Sequence, residues 1–92
     1  MKGQIFCPFY ILLIMYATYI LYSDKINKFY TGQTEDFGRR FEEHNRGKTS
    51  RMAKGVPWNL LFLKEFQTRK EAIDLEKFIK KRGAARFLID NK

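Results

Sequence analysis

The chain has one cysteine, Cys7, and one histidine, His44, among 92 residues. That inventory excludes an internal disulfide and any Cys/His zinc site, and it fits a reducing, cytoplasmic setting. Proline is scarce too, with only Pro8 and Pro57, and no proline-rich linker, repeat or low-complexity tract divides the sequence. A chain of this length buries one modest core, so a single domain is expected. Acidic residues are outnumbered: ten Asp and Glu stand against eighteen Lys and Arg, leaving a formal charge of +8. A polyanion is the natural partner of such a balance, although solubilising charge alone accounts for it equally well.

One long apolar run, IFCPFYILLIMYATYILY at residues 5 to 22, raises the question of a membrane segment or signal peptide. Neither fits. Pro8 interrupts it early, only Lys2 flanks it, no small-residue cleavage site follows, and its second half is β-branched and aromatic. The run is better divided into an apolar N-terminal extension, residues 1 to 15, non-native or from a misassigned start, and a domain over residues 16 to 92. No membrane association is expected.

Residues 17 to 23 (ATYILYS) and 28 to 33 (KFYTGQ) read as an antiparallel hairpin closed by Asp24 to Asn27. Thr34 is placed to cap a helix over roughly 35 to 46, with Glu35 and Asp36 in its first turn and Gly47 ending it. Residues 48 to 57 (KTSRMAKGVP) read as a basic loop. Residues 58 to 66 (WNLLFLKEF) form a third strand whose apolar run suits burial on both faces. Thr68 and Glu71 make the capping box of a second helix at about 69 to 82, stopped by Gly83, and residues 84 to 91 form a short terminal helix. The expected fold is α/β in the broad sense, and α+β in detail: a small three-stranded, mainly antiparallel sheet flanked by helices.

At about 100° per residue, Phe37, Arg40, Phe41 and His44 share one stripe of the first helix, while Arg39, Glu42, Glu43 and Arg46 fall outside it as solvated face. Arg40 and His44 on that stripe either snorkel to water or serve a site. On the second helix Ala72, Leu75, Glu76 and Ile79 share a face, and Glu76 is its one acid. A carboxylate there needs a partner, and Arg40, a metal ion or both are the candidates. Tyr19, Tyr30, Arg40, His44 and Glu76 therefore all point toward the layer between helices and sheet. The set suits phosphodiester hydrolysis: Tyr or His can accept a proton, Arg can clamp the phosphate, and Glu is a hard oxygen ligand suited to Mg²⁺. With one carboxylate, the substrate phosphate must supply the other ligands. Basic segments flank these residues. Residues 39 to 55 hold six Lys or Arg and two Glu, a balance of +4, and residues 77 to 92 hold six and one Asp, a balance of +5. Such charge gives salt-dependent, sequence-tolerant backbone contacts.

Taken together, these residues resemble the GIY-YIG nuclease domain, specifically its small stand-alone bacterial members. Ala17-Thr18-Tyr19 stands where Gly-Ile-Tyr would be, and Tyr30-Thr31-Gly32 matches Tyr-Ile-Gly at its two ends. The tyrosines are eleven residues apart, an arginine follows Tyr30 by ten and a histidine comes four later. The segments HNRGKTSRMAKGVPWNLLFLKEF and EAIDLEKFIKK are similar as well, so the likeness covers about residues 16 to 82.

The resemblance implies a divalent-metal-dependent endonuclease acting on DNA, on branched, nicked or damaged forms as in DNA repair, with a single Mg²⁺ or Mn²⁺ and no small-molecule cofactor. It implies Tyr19 as general base or its close partner, Tyr30 as a second tyrosine orienting water or phosphate, Arg40 as phosphate clamp, His44 as proton relay and Glu76 as metal ligand. Gly32 would permit close backbone approach. Arg39, Lys48, Arg51 and Lys54 are candidate nucleic-acid contacts, and Asn91 stands in for a late asparagine near the site. Ala17 and Thr18 alter strand packing but remove no catalytic group. The rival is a non-catalytic nucleic-acid-binding module; a carboxylate on an apolar face favours the enzyme. Cutting two strands with one site requires a homodimer, a protein partner or sequential nicks.

Overall fold

The computed structural model describes residues 15–91, and the extension expected at residues 1 to 15 lies outside them but for Met15. Strand β1 (Tyr16–Ser23) is apolar on both sides because both sides are covered. It lies at the centre of the sheet, between β2 (Lys28–Thr34) and β3 (Asn59–Phe66), in the order β2-β1-β3. Both pairings are antiparallel, with Tyr19 opposite Gly32 on one side and Leu63 on the other. The hairpin turn is closed locally. The Ile26 N–H donates to Ser23 Oγ (3.3 Å), and the Tyr22 hydroxyl donates to Asn27 Oδ1 (2.8 Å). Asn27 takes a left-handed conformation, φ 52°, which asparagine tolerates better than most residues.

Two layers sandwich β1. On one face Tyr19 and Leu21 pack with Met52 and Trp58, under Phe37 and Phe41 of α1 (Phe37–Asn45). On the other, Ile20 packs with Ile79 of α3 (Arg69–Arg82) and Phe87 of α4 (Ala84–Asp90), with Phe62 and Leu75 around them. The second helix starts where its capping residues predict: Thr68 Oγ1 accepts the Glu71 N–H at 3.2 Å and donates to Glu71 Oε1 at 2.9 Å.

Four expectations need correction. The first helix begins later, because Asp36 and not Thr34 is its N-cap, accepting the Arg39 N–H at 3.1 Å. Thr34 instead accepts the Asp36 N–H (3.0 Å), and Glu35 leaves the helix to pair with Arg69. The basic loop contains a helical turn, α2 (Ser50–Ala53), capped by the Thr49 hydroxyl. Trp58 precedes the third strand and is a buried core residue. Finally, β3 is not covered on both faces. It is an edge strand with Leu60, Leu61 and Leu63 between 40% and 47% exposed. Hydrophobic composition made it a strand, but pairing order put it at the edge. Among the described residues, no helix is long and apolar enough to cross a membrane.

Candidate active site

The hairpin register sets the site. Tyr19 on β1 and Tyr30 on β2 have ring centroids 6.2 Å apart, with Gly32 directly opposite Tyr19. A Cβ on Gly32 would lie 2.8 Å from the Tyr19 hydroxyl and 3.1 Å from the Tyr30 ring, so only glycine lets both rings occupy this corner. From α1, one helical turn beyond Arg40, His44 comes down onto the same pair. Its Nε2 is 3.0 Å from the Tyr19 hydroxyl, and its ring centre is 4.8 Å from that of Tyr30.

The two tyrosines differ in access. Tyr19 is fully buried, whereas Tyr30 is half-buried and walls several surface hollows. One of these, about 290 Å³, brings Tyr30, Arg40, His44, Lys48 and Thr49 together with Glu43. It offers two cations and two hydroxyls to an anion. Arg40 Nε is buried and makes no hydrogen bond among the described residues, and lies 3.6 Å from Glu43 Oε1.

Electrostatics sharpen the roles. Burial first, then the neighbouring Tyr30 and Glu76, push the Tyr19 hydroxyl well above the ordinary tyrosine range, against the opposing charge of Arg40. Its proton is therefore firmly held. Burial and the Arg40 charge lower His44 below the ordinary histidine range, with Glu43 opposing them. The imidazole is neutral at pH 7 and can accept a proton. The charges of Arg40 and Glu76 thus act on the Tyr19 hydroxyl in opposite directions, both weaker than burial.

Glu76 lies on the inner side of α3, with its side chain only 19% exposed. Its ion-pair partner is Lys80 at 2.8 Å, one turn along the same helix, which was not among the candidates of Arg40, a metal ion or both. Among the described residues no group of three or more His, Cys, Asp or Glu could hold a metal ion. The donor chemistry fits a hard cation only in the weak form anticipated, with one carboxylate and the remaining ligands drawn from substrate oxygens.

The other candidates scatter. Arg39 is engaged by Asp36 and Glu43, and Lys48 lies 3.8 Å from Glu43 while also lining the hollow that holds Arg40. Lys54 lines a neighbouring hollow. Arg51 falls on α2, and nothing is described of its side chain. Asn91 caps α4 by donating from Nδ2 to the Phe87 carbonyl (2.9 Å), a structural use of its amide.

Three residues with a part in the site escaped the sequence reading. Glu43, expected on the solvated face, is a wall of the hollow. Partial burial opposes its ionisation, but the Arg39 hydrogen bond and the charges of Lys48, Arg39 and Arg40 outweigh it and hold the carboxyl below the usual range. Asn45 clamps the backbone of Trp58, accepting its N–H and donating to its carbonyl. Thr18 donates to the Ala72 carbonyl at 2.7 Å, fixing the turn of α3 that carries Glu76. The missed signals were a glutamate beside the stripe, a side-chain amide at the end of a helix, and a hydroxyl in an otherwise apolar strand.

A three-stranded antiparallel sheet between two helical layers, with paired tyrosines across its first hairpin, is the frame of a small nuclease domain. The sequence matches the model of the GIY-YIG catalytic domain over residues 15–88. The chain belongs to the GIY-YIG family, whose catalytic domain is a nuclease domain generally assisted by a divalent metal. It is 33% identical over 82 residues to a UPF0213 protein of Limosilactobacillus reuteri (strain DSM 20016), covering 83% of this chain and 84% of that one. It is 38% identical over 58 residues to the UPF0213 protein YazA of Bacillus subtilis (strain 168), covering 62% and 59%. The solution NMR structure of the UPF0213 protein BH0048 from Bacillus halodurans shares its fold, with a TM-score of 0.54 at 28% identity over 85% of each chain.

Proposed function

We propose that the chain is a divalent-metal-dependent endonuclease that hydrolyses phosphodiester bonds in DNA, with a preference for branched or damaged forms. The observation that carries this reading is the hollow lined by Arg40, Tyr30 and His44, with the buried Tyr19 hydroxyl 3.0 Å behind it on the His44 imidazole. Arg40 and Lys48 grip the phosphate and offset the charge that develops on it as water attacks. Tyr30, the accessible tyrosine, orients water or a phosphate oxygen. The Tyr19 oxygen takes the proton lost by water while its own proton passes to Nε2 of neutral His44. The firmly held Tyr19 proton disfavours a free phenolate, and the concerted exchange avoids one. Glu76 is the residue that would hold the divalent ion, after release from Lys80. When bound, that ion supplies Lewis acidity toward the phosphate.

The test is nicking of supercoiled DNA in Mg²⁺ or Mn²⁺ by the wild type, Glu76→Ala and Arg40→Ala. The wild type is expected to nick, chelation and Glu76→Ala to abolish nicking, and Arg40→Ala to slow it by about 10²–10³. Equal cleavage by Glu76→Ala would remove that carboxylate from the chemistry. A wild type that binds DNA but cleaves no plain or structured substrate would leave a non-catalytic binding module in place of the enzyme.

A further inference from the structure

Tyr30 and Met52 also wall a second hollow, of about 510 Å³, beside the one that holds Arg40. Its volume falls within the range of small-molecule sites, but its lining differs from that of the phosphate hollow. Phe29, Tyr30, Trp58 and Ile26 give it aromatic and apolar walls, and Lys28 and Lys54 add two cations. Trp58 is buried behind the wall, so Phe29 and Tyr30 are the rings with exposed surface, and an inorganic anion has no use for them. A nucleobase does, because every base presents a flat π face that stacks on aromatic side chains.

The walls are fixed in advance. Trp58 Nε1 donates to the Met52 carbonyl at 3.0 Å, Asn45 holds the Trp58 backbone, and a Cβ on Gly55 would overlap the indole. Tyr30 meets Trp58 edge-on at 6.4 Å. Phe29 packs against Tyr22 with ring centroids 4.8 Å apart, yet remains 41% exposed on edge strand β2. Rings held in place before binding lose little freedom when a base stacks on them.

We propose that this hollow is a base-binding subsite, which takes an unpaired base of DNA adjacent to the phosphate gripped by Arg40. Lys28 and Lys54 meet the neighbouring backbone phosphates. The identity of that adjacent phosphate rests on the nuclease reading above. A base inside a duplex has both faces covered by its stacked neighbours, so only a bulged, flapped or flipped nucleotide can enter. The substrate class is therefore DNA with an unpaired nucleotide beside the scissile bond. Discrimination comes from the availability of the base and not from its edge, so sequence preference is weak.

The test compares binding of the full chain to a duplex carrying one bulged 2-aminopurine and to the same duplex fully paired, in EDTA so that no cleavage intervenes. The bulged duplex is expected to bind roughly tenfold tighter, with 2-aminopurine fluorescence quenched on stacking. Phe29→Ala should erase most of that preference, and Phe29→Trp should retain it. Equal binding of the two duplexes, or a preference that Phe29→Ala leaves intact, would overturn the subsite. Adding Mg²⁺ separates it from the nuclease reading. Nicking of both duplexes alike without quenching keeps the enzyme and removes the subsite, whereas quenching without nicking keeps the subsite and removes the enzyme.

Discussion

The two faces of β1 are built from alternate residues of one eight-residue strand, and they do different work. One face, through Ile20, is an apolar seam closed by Ile79 and Phe87, and the buried Thr18 beside it spends its hydroxyl on a helix carbonyl. The other face, through Tyr19, is buried just as deeply but carries a hydroxyl bonded to an imidazole and lying within the fields of an arginine and a glutamate. Burial on the first face supplies cohesion. On the second it tunes protons, raising their hold on Tyr19 and weakening it on His44. The described residues form one three-stranded sheet, so the same strand does both.

Substitutions can pull the two faces apart. The largest effect is expected on the apolar side. Ile79→Ala removes a fully buried side chain from the seam and should cost about 2–5 kcal/mol of stability, read as a lowered urea midpoint. Given a total of about 5–15 kcal/mol for a typical domain, loss of folded protein would dominate any change in activity. A loss below about 1 kcal/mol would mean that this face is not the cohesive one. Tyr19→Phe is the converse. It keeps the ring against Phe37 and Tyr30 but deletes the hydroxyl, so nicking should fall by about 10²–10³ while stability changes by about 1–3 kcal/mol for the unpartnered histidine nitrogen. Unchanged nicking would take that hydroxyl out of the chemistry. Thr18→Val keeps the shape and removes one hydrogen bond, so about 1 kcal/mol of stability is expected to go. A fall in nicking greater than that in folded fraction would identify Thr18 as the anchor of the Glu76 turn.

The parts of this design that were legible in the sequence are those governed by local rules. The hairpin followed from two β-rich runs around SDKINK, the second helix from Thr68 and Glu71, and the inner stripe of the first from the spacing of Phe37, Arg40, Phe41 and His44. What stayed hidden depends on how distant segments meet. LLFLKEF reads as a buried strand because apolar content reports strand type, while edge or centre is decided by pairing with β1. Glu43 is outside the stripe on a helical wheel, yet the segment carrying Lys48 and Thr49 folds back and encloses it. Lys80, by contrast, could have been found: it lies four residues after Glu76, the spacing at which helical ion pairs form. A half-buried carboxylate invites a partner across the core, but the lysine one turn along its own helix is already within reach.

The smallest effect also gives the most direct reading of the polar face. His44 is the chain's one histidine, so its imidazole proton signals titrate in an NMR spectrum without overlap from another. Burial and Arg40 depress its folded value, whereas the unfolded chain keeps a value near 6.5. Between those two values the unfolded state binds more protons, so ∂ΔG/∂pH is positive and stability rises with pH. The contribution of His44 is thus complete above about pH 6.5 and is lost as acid carries the pH down through the lowered folded value. Activity should follow the same limb, because only neutral His44 can receive the proton of Tyr19. Arg40→Gln removes one of the two causes of the depression, so the titration should move up toward the ordinary value, and the acid limb of any residual nicking should move with it. Glu43→Gln removes the one opposing charge and should move it down. A midpoint indifferent to both variants would mean that burial alone sets His44, and that Arg40 serves the phosphate without tuning the base.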